Sequence, residues 1–202
     1  MRLGFDLDEV VVNLADGLSE HIKGNYGVDC SIENFVNYGL EDAKFSDDKE
    51  FNDRIIHETL QIVVDQVFQS SCKPIDGAPE TLRELKRSGH ELFFISARPL
   101  ANKKATLKWM NKYDIPFDSV KLIDRKENKG WYGASLQLDM FVDDLEQHLI
   151  SMWRFKDRWR KGLLLYDSPW NANYVAGEKF KRVYKRVYNW KEILRHVGIQ
   201  NR

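Results

Sequence analysis

Asp6 and Asp8 stand one residue apart at the end of the apolar run Leu3-Gly4-Phe5-Asp6-Leu7-Asp8, ahead of Glu9-Val10-Val11. In a strand, residues i and i+2 share a face, so a strand ending here offers two carboxylates to one site. Such a pair suits a hard cation of the size of Mg²⁺, which takes oxygen ligands and keeps waters free for a phosphate. A carboxylate beside that cation can attack phosphorus and form an aspartyl-phosphate. Taken alone, the doublet fits an acidic turn after a strand equally well.

Three later positions tip the balance. Phe93-Phe94-Ile95 runs into Ser96-Ala97-Arg98, where a hydroxyl and turn amides can donate to phosphate oxygens. Arg98 can grip a phosphate with both arms of its guanidinium or pair with a carboxylate. Leu138-Asp139-Met140-Phe141-Val142 ends in Asp143-Asp144, two acids that are costly to desolvate unless a cation or hydrogen bonds compensate them. Asp143 is read as the second carboxylate ligand and Asp144 as the residue that orients the shell around it. Lys129 opens the helix leading into that strand, where an ammonium can offset the acids and the charge of a transferring phosphate. Lys126 competes for the role.

Positioning these residues requires a sheet whose strand ends converge. Strand signals recur at 2–7, 91–96, 120–123, 138–142 and 163–166, with helical patterns between them at 81–87 and 100–113. That alternation predicts a doubly wound parallel α/β sheet, which binds ligands at the carboxyl ends of its strands. The first crossover is far longer than a single helix needs. Leu14, Leu18 and Ile22 recur at helical spacing, and Asp47 or Asp48 can cap a helix carrying Phe51, Ile55, Thr59, Val63 and Val67. Residues 13–76 are therefore expected to form a helical cap over a core built from 1–12 and 77–202. Val12–Asn13 and Pro74–Gly77 are its expected hinges.

Composition bounds the rest. A chain of 202 residues with 43% hydrophobic and 31% charged residues is large enough for one good core and is not compositionally disordered. No apolar stretch reaches a membrane span, and Asp6 and Asp8 interrupt the place of a signal sequence, so a cytoplasmic protein without membrane contact is expected. Cys30 and Cys72 are too few for a disulfide framework. Residues 151–202 carry 13 Lys and Arg against 4 Asp and Glu, while 1–150 carry 18 against 27. Without a nucleic-acid motif, the basic ending reads as a surface that balances an acidic site.

With Asp6-x-Asp8, Ser96, Lys129 and Asp143-Asp144 in this order, the chain resembles the haloacid-dehalogenase-like (HAD) phosphohydrolase superfamily over its whole length. Within it the chain looks most like the capped deoxyribonucleotidase branch, on Lys73-Pro74-Ile75-Asp76-Gly77-Ala78, Ser96-Ala97-Arg98-Pro99, Thr106-Leu107-Lys108-Trp109-Met110 and Leu164-Leu165-Tyr166-Asp167-Ser168-Pro169-Trp170-Asn171. The resemblance implies a Mg²⁺-dependent phosphomonoesterase with Asp6 as nucleophile and Asp8 as acid and base. It also implies Mg²⁺ on the Asp6 carboxylate, the Asp8 carbonyl and Asp143, with phosphate held by Ser96, Arg98 and Lys129. A small phosphorylated metabolite, a nucleoside monophosphate first and a sugar phosphate second, is the expected substrate.

Two positions depart from the family pattern. Glu9 stands where Gly is common after the second acid, and Leu14 stands where nucleotidases often carry an aromatic for the base. Two other classes share part of the pattern: a phosphate-accepting signalling receiver, and a phosphatase acting on nucleic-acid ends. The receiver would place its acid pair on the first strand and its acceptor on a middle one, opposite to the order here.

Overall fold

The computed structural model describes residues 1–31, 34–35, 40, 42–124, 127–171 and 183–198. Six strands form one parallel sheet: β1 (Arg2–Phe5), β2 (Glu91–Ser96), β3 (Ser119–Leu122), β4 (Met140–Asp143), β5 (Gly162–Tyr166) and β6 (Lys185–Val187). Their order is β3-β2-β1-β4-β5-β6. Chain progression therefore runs one way from β1 to β3 and the other way from β4 to β6, and a crevice opens where the direction reverses, between β1 and β4. Asp6 follows β1, and Asp143 ends β4. The topology itself brings the two acidic motifs together.

The central strands β1, β2, β4 and β5 are apolar along most of their length because helices cover both faces. Leu92 and Phe94 enter the core on one face, and Phe93 and Ile95 enter the core on the other. Gly4 is dictated by contact: a Cβ there would come within 2.4 Å of the Phe141 ring. On the larger core, Phe5 packs against Phe94 and Trp190 with ring centroids 5.8 and 5.4 Å apart.

Helices α4 (Ala78–Arg87), α5 (Lys103–Lys112), α6 (Lys129–Ser135), α7 (Glu146–Met152) and α8 (Trp190–Val197) flank the sheet. The long first crossover contains α1 (Leu14–Tyr26), α2 (Lys49–Ile62) and α3 (Gln66–Ser71). Asn13, Asp48 and Asp65 accept hydrogen bonds from the first-turn amides of these three helices, which places their starts. No helix among the described residues is long and apolar enough to cross a membrane. Cys30 and Cys72 are free thiols.

The first strand stops at Phe5, two residues earlier than its apolar run predicts, because the Leu7 carbonyl accepts N–H groups from Val11 and Val12 at 2.8 Å each. The chain thus turns tightly from Leu7 to Val12, with Asp8 inside the turn. The helix expected to carry both Val63 and Val67 is broken between them, since Asp65 caps a new helix; Val67 is left 72% exposed. The ends of the long crossover lie side by side. Val12 and Pro74 form an antiparallel bridge, with Asn13 N–H on the Lys73 carbonyl at 2.9 Å and Ile75 N–H on the Val11 carbonyl at 2.8 Å.

Candidate active site

All seven expected site residues lie at the carboxyl edge of the sheet. A pocket there is lined by Asp6, Asp8, Ser96, Arg98, Lys129 and Asp144. Asp143 lies beneath it, fully buried. The remaining walls are Leu14, Val63, Val64 and Gln69 from the long crossover, together with Ala97, Pro99, Leu145, His148 and Trp170. Lys126 lies outside the described residues.

Lys129 is the hub. Its ammonium is 2.9 Å from Asp6 Oδ2 and 2.8 Å from Asp143 Oδ2. The Asn128 side chain accepts from the first-turn amides of α6 and so delivers Lys129 at the helix start. Burial disfavours the ammonium, but Asp143 and Asp6 outweigh that and hold its pKa above the ordinary lysine value.

The carboxylates divide by their partners. Burial pushes Asp6 up to about 6, Lys129 opposes, and Asp143 and Asp8 add to the rise. Burial works on Asp143 as well, yet Lys129 and His148 beside it hold its carboxyl well below the usual range. Both Asp143 oxygens are taken: Oδ2 by Lys129, Oδ1 by His148 Nδ1 and the Leu145 amide at 3.0 Å each. Asp144 is raised well above the ordinary value by burial, then by Asp143 and Asp6. Its Oδ2 accepts the neutral Trp170 indole N–H at 2.6 Å.

The oxygens of Asp6, Asp143 and Asp144 lie within 4.8 Å of one another. Asp6 Oδ1 is buried with no hydrogen-bond partner. Three buried carboxylates face one ammonium, an imbalance that a hard cation with oxygen ligands would correct. The donor set fits a divalent cation.

Arg98, expected on the phosphate, holds Asp8 instead. Its Nε lies 3.1 and 3.0 Å from the two Asp8 oxygens, and Nη2 lies 2.6 Å from Oδ1. The physical reason is burial: the guanidinium is 1% exposed, and a desolvated cation requires a counter-charge. Ser96 is buried at the end of β2, where its Oγ accepts the Arg98 amide N–H at 3.3 Å.

A family model described as 5′ nucleotidase, deoxy (pyrimidine), cytosolic type C protein matches residues 1–200. The chain belongs to this family. It is therefore a HAD-superfamily enzyme of the nucleotidase-like branch and a phosphoric monoester hydrolase. The candidate nucleotidase OB0422 of Oceanobacillus iheyensis is 25% identical over 198 residues, covering 97% of this chain and 98% of its own. Among solved structures, a HAD family hydrolase from Deinococcus radiodurans, with bound phosphate and sodium, superposes with a TM-score of 0.60 at 12% identity, covering 98% of this chain and 94% of its own. A HAD-superfamily hydrolase of subfamily IA from Geobacter sulfurreducens gives 0.56 at 15% identity, covering 98% and 96%. These two establish the fold. Membership in the nucleotidase family sets the signalling receiver aside.

At Glu9 the backbone suits the Gly of the common pattern, and the side chain takes on a structural contact. Glu9 has φ +53, a left-handed conformation that Gly adopts freely and other residues adopt at a cost of ~1–2 kcal/mol. Here the Glu9 carboxyl accepts the Leu14 and Ala15 amides at 3.1 and 3.0 Å, binding the turn that carries Asp8 to the start of α1. It is absent from the pocket walls, so it does not narrow the site. Burial pushes its pKa up to about 8.

A carboxyl raised on folding supports the fold most below its unfolded value and loses that support as pH rises through the folded value. In chelator-treated protein, Glu9→Gln keeps the acceptor oxygen and should match the wild type near pH 4. Above about pH 8 it should be the more stable of the two, as read by urea unfolding. Parallel stability curves from pH 4 to 9 would show that Glu9 does not titrate in this range.

His148 and Trp170 are the site residues that sequence reasoning missed. Trp170 stands in the stretch that carries the branch resemblance, but nothing in its spacing assigns it to Asp144. His148 lies one helical turn beyond Asp144, the only sequence signal it offers.

Proposed function

We propose that the chain is a Mg²⁺-dependent phosphatase of nucleoside monophosphates that works through an aspartyl-phosphate on Asp6. The unpartnered, buried Asp6 Oδ1 beside the Lys129-bound Oδ2 is the observation that carries this reading. Bound Mg²⁺ would supply charge neutralisation at the phosphoryl oxygens. Asp6, the Asp8 carbonyl and Asp144 would hold it. Asp144 takes the place first expected of Asp143, because both Asp143 oxygens already serve protein donors, two of them from Lys129 and His148.

Asp6 attacks phosphorus as the ester P–O bond breaks, and Asp8 gives its proton to the leaving oxygen. Asp8 then takes a proton from water as that water displaces the phosphate from Asp6. Lys129 and Ser96 contact the phosphoryl oxygens. For Asp8 to carry a proton, Arg98 must loosen its hold, and the phosphate is the alternative partner for its fork. Residues 13–76 act as a cap over this chemistry, with Leu14, Val63 and Val64 on the leaving-group side.

Phosphate release from a panel of nucleoside and sugar monophosphates, with Mg²⁺ and with excess EDTA, tests the reading. Nucleoside monophosphates should be hydrolysed fastest and EDTA should abolish turnover. Preference for sugar phosphates would move the substrate class, and inhibition by short oligonucleotides would point to nucleic-acid ends. EDTA-resistant turnover would overturn the cation.

Two variants sharpen it. Asp144→Ala should raise the Mg²⁺ concentration for half-maximal activity more than Asp143→Ala does; the reverse ranking would restore Asp143 as the ligand. Leu14→Phe should change kcat/KM among nucleotides and sugar phosphates by roughly tenfold, within the ~1–3 kcal/mol of an aromatic–base contact. It should leave a small generic phosphomonoester almost untouched. Equal changes for every substrate would place Leu14 in a supporting role.

A further inference from the structure

The loop after β5 holds Asp144 at two points. Trp170 Nε1 donates to its Oδ2 at 2.6 Å, and Asn171 Nδ2 donates to its main-chain carbonyl at 2.7 Å. Asn171 is itself locked. Its Nδ2 also reaches the Tyr166 carbonyl at 2.8 Å, and its Oδ1 accepts the Ser168 amide at 3.1 Å. Arg186 on β6 then forks across the loop, with Nη1 2.7 Å from Asn171 Oδ1 and 2.5 Å from Asp167, and Nη2 3.0 Å from the Asn171 carbonyl.

The choice of donor distinguishes the two adjacent acids. Asp143 is met by an ammonium and an imidazole, groups that can neutralise it. Asp144 is met by an indole N–H, which fixes the carboxylate's rotation through one oxygen without adding positive charge. A carboxyl held that way is oriented without being neutralised by a protein cation, so a bound cation would supply its missing counter-charge. Arg186 does not line the pocket, so any effect it has on the site passes through the loop.

We infer that Trp170 and Arg186 are positioning residues for a divalent cation at Asp144, acting as a relay from the edge strand β6 through Asn171. This rests on the cation reading proposed above. Losing a group that orients a ligand commonly weakens metal affinity ~10–100-fold. Trp170→Phe keeps the aromatic bulk and loses only the N–H, while Arg186→Lys keeps the charge and loses the fork.

The test is Mn²⁺ binding by the full chain, measured by electron paramagnetic resonance without substrate, alongside the melting temperature in EDTA. The wild type should bind Mn²⁺ saturably. Trp170→Phe should weaken binding by about tenfold or more with its metal-free melting temperature unchanged, and Arg186→Lys should shift affinity in the same direction by less. Equal affinity in all three proteins would overturn the relay while leaving the cation reading intact. No saturable binding by the wild type would overturn the cation reading and the relay with it. If Trp170→Phe lowers the metal-free melting temperature, Arg186→Lys decides by the same criterion.

Discussion

Asp6→Asn should abolish multiple-turnover phosphate release, with a loss of at least about 10⁴-fold, because it removes the charge of the proposed nucleophile at nearly constant shape. The same substitution should not cost stability in the metal-free protein. Among the described residues Asp6 shares its surroundings with Asp8, Asp143 and Asp144 and one ammonium, and burial pushes its pKa up to about 6. A carboxyl raised on folding contributes its full stabilisation below the unfolded value and loses it as pH rises through about 6. Asn cannot ionise, so in EDTA the variant should gain on the wild type between pH 4 and pH 8. Thermal melts across that range, beside a phosphate-release assay, separate the two effects. Turnover within tenfold of the wild type would end the covalent mechanism. A variant that melts lower than the wild type at pH 8 would instead show that Asp6 supports the fold.

Why Asp6 and Asp143 could be found in sequence is plain from the fold. Each closes an apolar run, and in a doubly wound parallel sheet the ends of buried runs converge on one edge. The strand reversal between β1 and β4 makes those two runs neighbours. Ser96 and Lys129 follow the same logic, one ending β2 and the other opening α6. The long crossover showed itself through helical spacing at Leu14, Leu18 and Ile22, all buried in α1.

What escaped the sequence depends on side-chain direction or on competing local signals. Arg98 follows Ser96 at the carboxyl edge of the sheet, but its direction is set by Asp8, 90 residues away in the chain. Asp65 interrupts a helical period that Val63 and Val67 continue, because an aspartate that can cap a new helix competes with one that merely prolongs the old. Strand β6 is only three residues long and reads Lys-Arg-Val, with too little apolar content to show a strand period. The pairing of Trp170 with Asp144 spans 26 positions and has no periodic signature.

Lys129→Met should lower turnover by roughly 10³-fold and destabilise the metal-free protein at neutral pH by about 3–5 kcal/mol. Met preserves most of the buried stem but leaves Asp6 and Asp143 facing each other without the ammonium that lies 2.9 and 2.8 Å from them. The sign of the pH dependence distinguishes this account from loss of packing. In the wild type, burial raises Asp143, but Lys129 and His148 prevail and hold it low. Its contribution is therefore complete above the unfolded carboxyl value and fades as pH falls below it. Without Lys129 both carboxyls rise and bind protons at milder acidity, and each proton relieves the repulsion. The deficit of the variant should thus be widest near pH 8 and narrow towards pH 5 in urea unfolding with EDTA. A packing defect would be constant across that range. Mg²⁺ should stabilise the variant at least as much as the wild type, since a cation replaces charge the lysine no longer supplies, while turnover stays low because the proposed phosphate contact is gone. A variant within tenfold of wild-type turnover would show that Lys129 does not act on the phosphoryl group and serves only to neutralise the two buried acids.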